Sequence, residues 1–424
     1  MLRGLRWIVC GAAIAAGSLV AAQDDFDRPP ISYSTAPTHD RVARLKEQLE
    51  QGKASLERDE EHGYLRALLA ALDIDASSQT LVFSQTSLQL RKISPHKPRA
   101  LYYNDDAYVG WVQDGDVLEV SAVDDQQGVV FYTLDQREDT PQLVRDRGHC
   151  LSCHATSRTK SVPGLLVRSV YADAAGRPWF GAGTFTNDHS SPFKDRWGGW
   201  YLTGNHGEMR HMANVISTDR RRPENIDRER GANRSDLSDL FDVRPYLTPK
   251  SDIVALMVLT HQTQMHNWIT RAGFETRKAI HSDEVMNKAL ERPDDYRSES
   301  AKRRISSVAE DLVSYLLFSE EFKLTSPVEG DAAFRERFAR DAARDSKGRS
   351  LRDFDLQTRL FKYPCSYMIH SSSFKSLPAP VMEEVLSRLS AALGDPAATP
   401  HLSDADRTAL REILAETVEG FPPS

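Results

Sequence analysis

Two cysteines separated by two residues and followed at once by a histidine, Cys150-Leu151-Ser152-Cys153-His154, are the most chemically loaded stretch of this 424-residue chain. Two thiols at that spacing can each form a thioether to a vinyl group of a porphyrin, because one turn of chain presents both sulfurs along one porphyrin edge and sets the next histidine beneath the iron. The motif therefore predicts one covalent haem c, held through Cys150 and Cys153 with His154 as proximal iron ligand. A chance match in a chain with four cysteines is of order one in a thousand at ordinary residue frequencies. Rival chemistries fit less well. A structural zinc needs two more ligands at short spacing. A thioredoxin-like centre places its cysteine pair after a βαβ unit, whereas a hairpin pattern precedes this one. A disulfide between cysteines three apart is strained.

A sixth iron ligand must come from elsewhere, methionine raising the reduction potential and histidine lowering it. On a helix spanning Asp252 to Thr276, residues Val254, Met257, Val258, His261, Met265, Trp268 and Ala272 share one face by 3.6 periodicity, and His266 lies on the neighbouring face. His261 is the first distal candidate, then Met265, with His266 the choice for a rotated helix. Their plain alternative is a hydrogen-bonded core histidine beside a core methionine. Met209 and Met212 form a second set, with His206 and His211 nearby, in a segment whose Arg210 and His211 suggest an exposed hairpin. Cys365 is expected to be a buried small hydrophobe, since Phe361, Met368 and Ile369 flank it; an intermolecular disulfide and a thiolate near the haem are its alternatives.

The elements that must position these residues divide the chain. His39 to Leu56 and Glu60 to Leu72 carry apolar residues at helical spacing. Thr80 to Phe83, Ala100 to Tyr103, Tyr108 to Val112, Val117 to Val123 and Val129 to Leu134 are β-prone runs separated by Asn104-Asp105-Asp106, Asp114-Gly115 and Asp124 to Gly128, which are hairpin signals. Strand-like text resumes at Leu165 to Tyr171, Trp179 to Thr186, Trp197 to Leu202 and Met209 to Val215. From Ser251, a good N-cap, the chain reads as helical, with further helices at Asp283 to Leu290, Ala301 to Phe318, Asp331 to Ala343, Ala379 to Leu393 and Asp404 to Val418. The expected fold class is α+β: an antiparallel, β-rich N-terminal half around the motif (residues 23–250) and a helical C-terminal half (251–424) packed on it.

Ahead of these, Arg3 and Arg6 precede an apolar run from Trp7 to Ala22 ending in small residues. About 16 apolar residues is short of a bilayer span, so 1–22 reads as a secretory signal peptide with Gln23 the first mature residue, and the expected location is the periplasm. Lys and Arg number 54 against 61 acids, a net charge of −7; loss of Arg3 and Arg6 makes it −9. That balance argues against nucleic acid as a partner, and no stable membrane insertion is expected after cleavage. No Gly-rich phosphate loop, G-x-S-x-G elbow or H-E-x-x-H occurs, so nucleotide chemistry, serine hydrolysis and zinc proteolysis lack a motif.

The five residues Cys150 to His154, together with the export signal, resemble those of c-type cytochromes, and Asn104 to Trp111 and Phe361 to His370 are similar to stretches of uncharacterised bacterial single-haem exported proteins. The resemblance implies haem attachment outside the cytoplasm, a metal-binding protein with bound iron, and no particular activity. The chain departs from small cytochromes c, in which the motif opens an all-helical domain: here about 127 mature residues precede Cys150. Three roles follow: periplasmic electron transfer with a redox partner, a haem-dependent oxidoreductase whose sixth ligand is displaceable, and a haem-based ligand sensor or scaffold.

Overall fold

A computed structural model describes residues 25–423; the leader, Cys10 and the cleavage position lie outside the described residues. Two helices come first, α1 (Arg41–Glu50) and α2 (Leu65–Ala71). Asp40 caps α1 by accepting from the backbone N–H of Val42 and Ala43, which leaves Val42 and Leu45 on its buried face.

The strands β1 (Thr80–Val82), β2 (Arg99–Tyr103), β3 (Ala107–Trp111), β4 (Val117–Asp124), β5 (Gly128–Asp135) and β6 (Leu143–Arg145) follow, then the one-turn helix α3 (Leu151–His154). Beyond it come β7 (Val167–Val170), β8 (Thr184–Asn187) and β9 (Trp200–Tyr201). Seven strands form one antiparallel sheet in the order β6-β5-β4-β3-β2-β1-β9, and β7 with β8 forms a separate ribbon. The hairpin signals act as expected: Asn104 Oδ1 accepts from the N–H of Asp106 and Ala107, and Asp124 Oδ1 from Gln126 and Gln127 ahead of Gly128 at φ 69°.

Alternation along the strands gives the sheet two unlike faces. Tyr102, Val109, Trp111, Leu118, Val120, Val130 and Leu134 pack with Leu45 of α1 and Leu65, Leu68 and Leu69 of α2. The opposite face, with Tyr103, Tyr108, Val123, Val129 and Phe131, packs on α4 (Ile253–Ala289), which runs for 37 residues. Tyr103 Oη donates to the Ala255 carbonyl at 2.5 Å, and Gln262 Nε2 donates to Tyr108 Oη at 2.5 Å. Against α4 lie α5 (Glu299–Leu316), α6 (Ala332–Arg340) and α7 (Ala379–Gly394), and α8 (Asp404–Thr417) packs on α7. The fold is α+β, with a sheet-rich N-terminal half and a helical C-terminal half. Among the described residues no helix is long and apolar enough to cross a membrane.

Five expectations change. Met209 to Val215 is not a strand: Asn214, at φ 66°, uses its side-chain amide to bond both the N–H and the carbonyl of Leu202, replacing the ladder that a strand would have made. Of Trp179 to Thr186, residues Phe180–Ala182 form a 3₁₀ turn, and pairing begins only after Gly183 at φ 103°. Trp197 sits at φ 63°, so the strand there shrinks to Trp200–Tyr201. The N-cap of α4 is Asp252, which accepts from the Ala255 N–H, whereas the Ser251 hydroxyl donates to Tyr201 O and accepts from Leu81 N–H, tying β9 to β1. The same helix absorbs the separate element expected at Asp283 to Leu290.

Candidate haem attachment site

The motif hangs from the end of β6 by one carboxylate. Asp146 Oδ2 accepts from the backbone N–H of Gly148 at 2.9 Å and of Cys150 at 3.0 Å, and Oδ1 lies 3.2 Å from His149 Nδ1. Burial pushes this carboxyl up, but those hydrogen bonds outweigh it and hold it below the ordinary range. The turn it shapes leads into α3, where His154 N–H donates to Cys150 O at 2.9 Å, so both sulfurs and the imidazole issue from a single helical turn.

Both thiols are free; Cys150 is partly buried and Cys153 exposed. Burial, reinforced by Asp146 and Glu119, pushes the Cys150 thiol up to about 12. A redox dithiol requires the opposite shift, since the thiolate is its nucleophile. This environment argues against a thioredoxin-like role.

His154 packs its ring 4.9 Å from that of Phe131 on β5, and its Nδ1 lies 2.8 Å from the Gly164 carbonyl. A carbonyl can only accept, so Nδ1 carries the proton and the lone pair is on Nε2. Nε2 has no hydrogen-bond partner among the described residues and is not sealed from solvent. Burial holds the imidazole below its ordinary pKa and thus neutral. An oriented, neutral imidazole with its far nitrogen tied to a backbone carbonyl is what an iron ligand requires.

The tie is itself anchored. Gly164 N–H donates to His154 O at 2.8 Å, and Asn267 of α4 clamps the next residue by accepting from Leu165 N–H at 2.9 Å and donating to Leu165 O at 2.7 Å. A Cβ on Gly164 would collide with that amide. Helix α4 therefore holds the loop whose Gly164 carbonyl fixes Nδ1 of His154.

Each histidine among the distal candidates on α4 already has a ring nitrogen engaged. His261 is fully buried with both ring nitrogens engaged, Nδ1 at 3.0 Å from His189 Nδ1 and Nε2 at 2.8 Å from Ser366 Oγ. Met265 is fully buried in the core, and His266 Nε2 lies 2.9 Å from Asp105 O. All three lie on α4, whose Asn267 holds the loop behind His154, and His266 Nδ1 is buried without a hydrogen-bond partner. The second set fares similarly. Met212 Sδ receives the Ser169 hydroxyl at 3.7 Å, Met209 is buried, and His206 Nε2 and His211 Nδ1 accept from the backbone N–H of Asn233 and Ala213. The lone pairs of those two imidazoles are thereby used. Far from an exposed hairpin, His211 is 1% exposed. Cys365 is buried, as expected, with its thiol pushed up to about 12 by burial.

Beside the motif the sheet offers features that sequence reasoning missed. Arg99 on β2 and Glu119 on β4 point to the motif face and pair at 2.7 Å (Nη2 to Oε2), with side chains 17% and 14% exposed. Both lie within electrostatic reach of Cys150 and His154. The guanidinium lies flat over Gly110 of β3, where a Cβ would come within 2.6 Å of Nε. Its Nε is buried and has no partner. The available signals were a glycine inside a strand, which marks close approach of another group, and charges at inward register. A cavity of about 710 Å³ adjoins, lined by Thr133, Val144, Asp146, His149 and Ser152. Leu88, Leu90, Val144 and Phe180 are large apolar side chains left exposed in segments bordering this face. Arg168, whose charge is felt at Cys153, stacks 4.6 Å over Phe180.

The donors and the shelf suit a haem: two unpaired thiols, one oriented imidazole, an orphaned guanidinium N–H for an anionic oxygen, and a glycine-floored sheet. Among the described residues no three His, Cys, Asp or Glu side chains gather as metal ligands. A structural zinc would need such a group; a haem iron, ligated by its porphyrin, would draw on His154 and not on a cluster of that kind. Comparison with family models, curated proteins and solved structures finds no match to this chain, so the reading of the motif rests on the chemistry of its own residues.

Proposed function

We propose that the chain carries one covalent c-type haem on Cys150 and Cys153, with His154 as proximal ligand, and serves in electron transfer outside the cytoplasm. The observation that carries this reading is the His154 imidazole: Nδ1 is committed to Gly164 O while Nε2 is unpartnered, on the same helical turn as two free thiols. When bound, the group supplies a one-electron iron couple. Asp146 fixes the turn, Gly164 and Asn267 hold the imidazole, and Cys153 with the exposed Val144 and Phe180 leaves an accessible, partly apolar edge for a redox partner. Electron transfer needs such an exposed edge and no substrate pocket.

A second reading, an oxidoreductase with a displaceable sixth ligand, draws support from the buried, unsatisfied Nε of Arg99 at the same face. The test of the first is mass. Protein made in cells with an active cytochrome maturation system should gain the mass of one haem and keep it through acid acetone extraction. A protein that lacks the added mass, or releases its haem, refutes covalent attachment. A ferric spectrum already high-spin at rest would favour the second reading over the first.

A further inference from the structure

We infer that Arg99 is the receptor for an anionic oxygen at the motif face, its Nε–H donating to that oxygen while Nη2 stays on Glu119. The inference rests on the haem reading above and deepens it. Arg99 is the first residue of β2, and strand alternation aims it, with Leu101 and Tyr103, at the face that carries the motif. Side-chain packing then confines it. Gly110, which pairs with Leu101 and Glu119, has no side chain, so the guanidinium lies against bare backbone, and the ion pair to Glu119 holds it there. That arrangement takes up Nη2 and leaves Nε both buried and without an acceptor.

A buried donor of a charged group left unpaired is costly, and folds rarely retain one without use. The acceptor must be negative or strongly polar, must come from the motif side, and must tolerate Glu119 nearby. Those conditions describe a carboxylate of the porphyrin or a small anion bound at the iron, two sources of one chemistry. Glu119 sets the strength: by neutralising Arg99 it weakens the hold on any second anion.

The experiment uses the holoprotein, with haem mass confirmed for each variant, and compares wild type with Arg99→Ala, Arg99→Lys, Gly110→Ala and Glu119→Gln. Sodium fluoride is titrated into the ferric form, and the ferric/ferrous equilibrium is measured against a redox dye. If the oxygen belongs to an iron-bound anion, Arg99→Ala weakens fluoride at least about tenfold, since a charge-assisted hydrogen bond is lost. Gly110→Ala weakens it in the same direction by displacing the guanidinium, Arg99→Lys fails to restore it, and Glu119→Gln tightens it. If the oxygen is a porphyrin carboxylate, fluoride binding stays as in wild type, or absent as in wild type. In that case Arg99→Ala shifts the dye equilibrium toward ferric at least about threefold and Arg99→Lys recovers part of the shift, because a positive charge beside the carboxylate has been removed and then returned. Holoprotein in which Arg99→Ala and Gly110→Ala match wild type in both measurements overturns the inference while leaving haem attachment intact. Absence of haem from the wild-type protein overturns both together.

Discussion

Replacing Asn267 by leucine should be among the most damaging single changes near the motif. Asn267 is fully buried, and its amide makes both hydrogen bonds available to the Leu165 backbone, accepting at 2.9 Å and donating at 2.7 Å. Leucine has a similar branched outline, is larger and has neither function, so Leu165 N–H and C=O lose their partners in a place water does not reach. Each orphaned group costs about 1–3 kcal/mol. The bulkier tetrahedral Cγ of leucine, in place of a planar amide already pressed against Gly164, adds strain of about 1 kcal/mol. The total is about 3–7 kcal/mol, a large share of the stability of an ordinary domain. Urea denaturation of wild type and variant gives the difference from the midpoints, provided the slope is unchanged. Gly164→Ala pushes on the same amide, so the double variant should cost little more than the larger single one. In the apo protein the Nδ1 proton of His154 should also exchange at least about tenfold faster, because the carbonyl that holds it is no longer fixed. A loss below about 1 kcal/mol with strictly additive double-mutant behaviour would refute the clamp.

Replacement of Cys150 or Cys153 by alanine should leave at most one thioether and greatly reduce holoprotein, whereas His154→Ala should keep both attachment points and lose normal ligation; mass and visible spectra report each. His261→Ala, by stranding His189 and Ser366, should destabilise the fold by about 2–4 kcal/mol yet leave the haem spectrum as in wild type, and a spin-state change would return that residue to the iron. Stability should fall with acid before the carboxylates titrate. Burial holds His189 at about 3 and His266 and His370 at about 4, below the ordinary imidazole value, so the unfolded chain takes up protons that the folded one refuses. The contribution is complete above pH 6.5 and declines as pH falls toward 4, by up to about 1.4 kcal/mol per pH unit for each group. Denaturation midpoints measured from pH 7.5 to 4.5 check this, and a flat profile contradicts it.

The division into a sheet half and a helix half was legible because both periods are strong: alternation in β2 to β5, closed by Asn and Asp turns, and 3.6 spacing in α1, α5, α7 and α8. The motif was legible because its chemistry is local, with five consecutive residues carrying thiols and imidazole together. The surroundings of the distal candidates were not. Periodicity selects a face only when a helix has an exposed one, and residues 253–267 of α4 are buried all round. His261, Met265 and His266 shared a face on paper, yet tertiary contacts used them for His189, the core and Asp105. Asn214 escaped notice for a related reason: its amide imitates a strand neighbour, and nothing local in Met209 to Val215 announces that. Arg99 and Glu119 were visible as charges but not as a pair, because their meeting depends on the register of three strands.

The pairing of β1 with β9 carries a consequence for timing. Leu81 meets Tyr201, and Leu81 N–H meets Ser251, so the sheet edge closes only with chain that lies well beyond Cys153. Asn267, which fixes the loop behind His154, comes later still. As the polypeptide emerges from its N-terminus, the two thiols and the imidazole are therefore available before the elements that bury Cys150 and lock His154 exist. The attachment proposed at this turn would have an interval that opens with residue 154 and shuts with residue 267, and slowing the delivery of α4 should lengthen it.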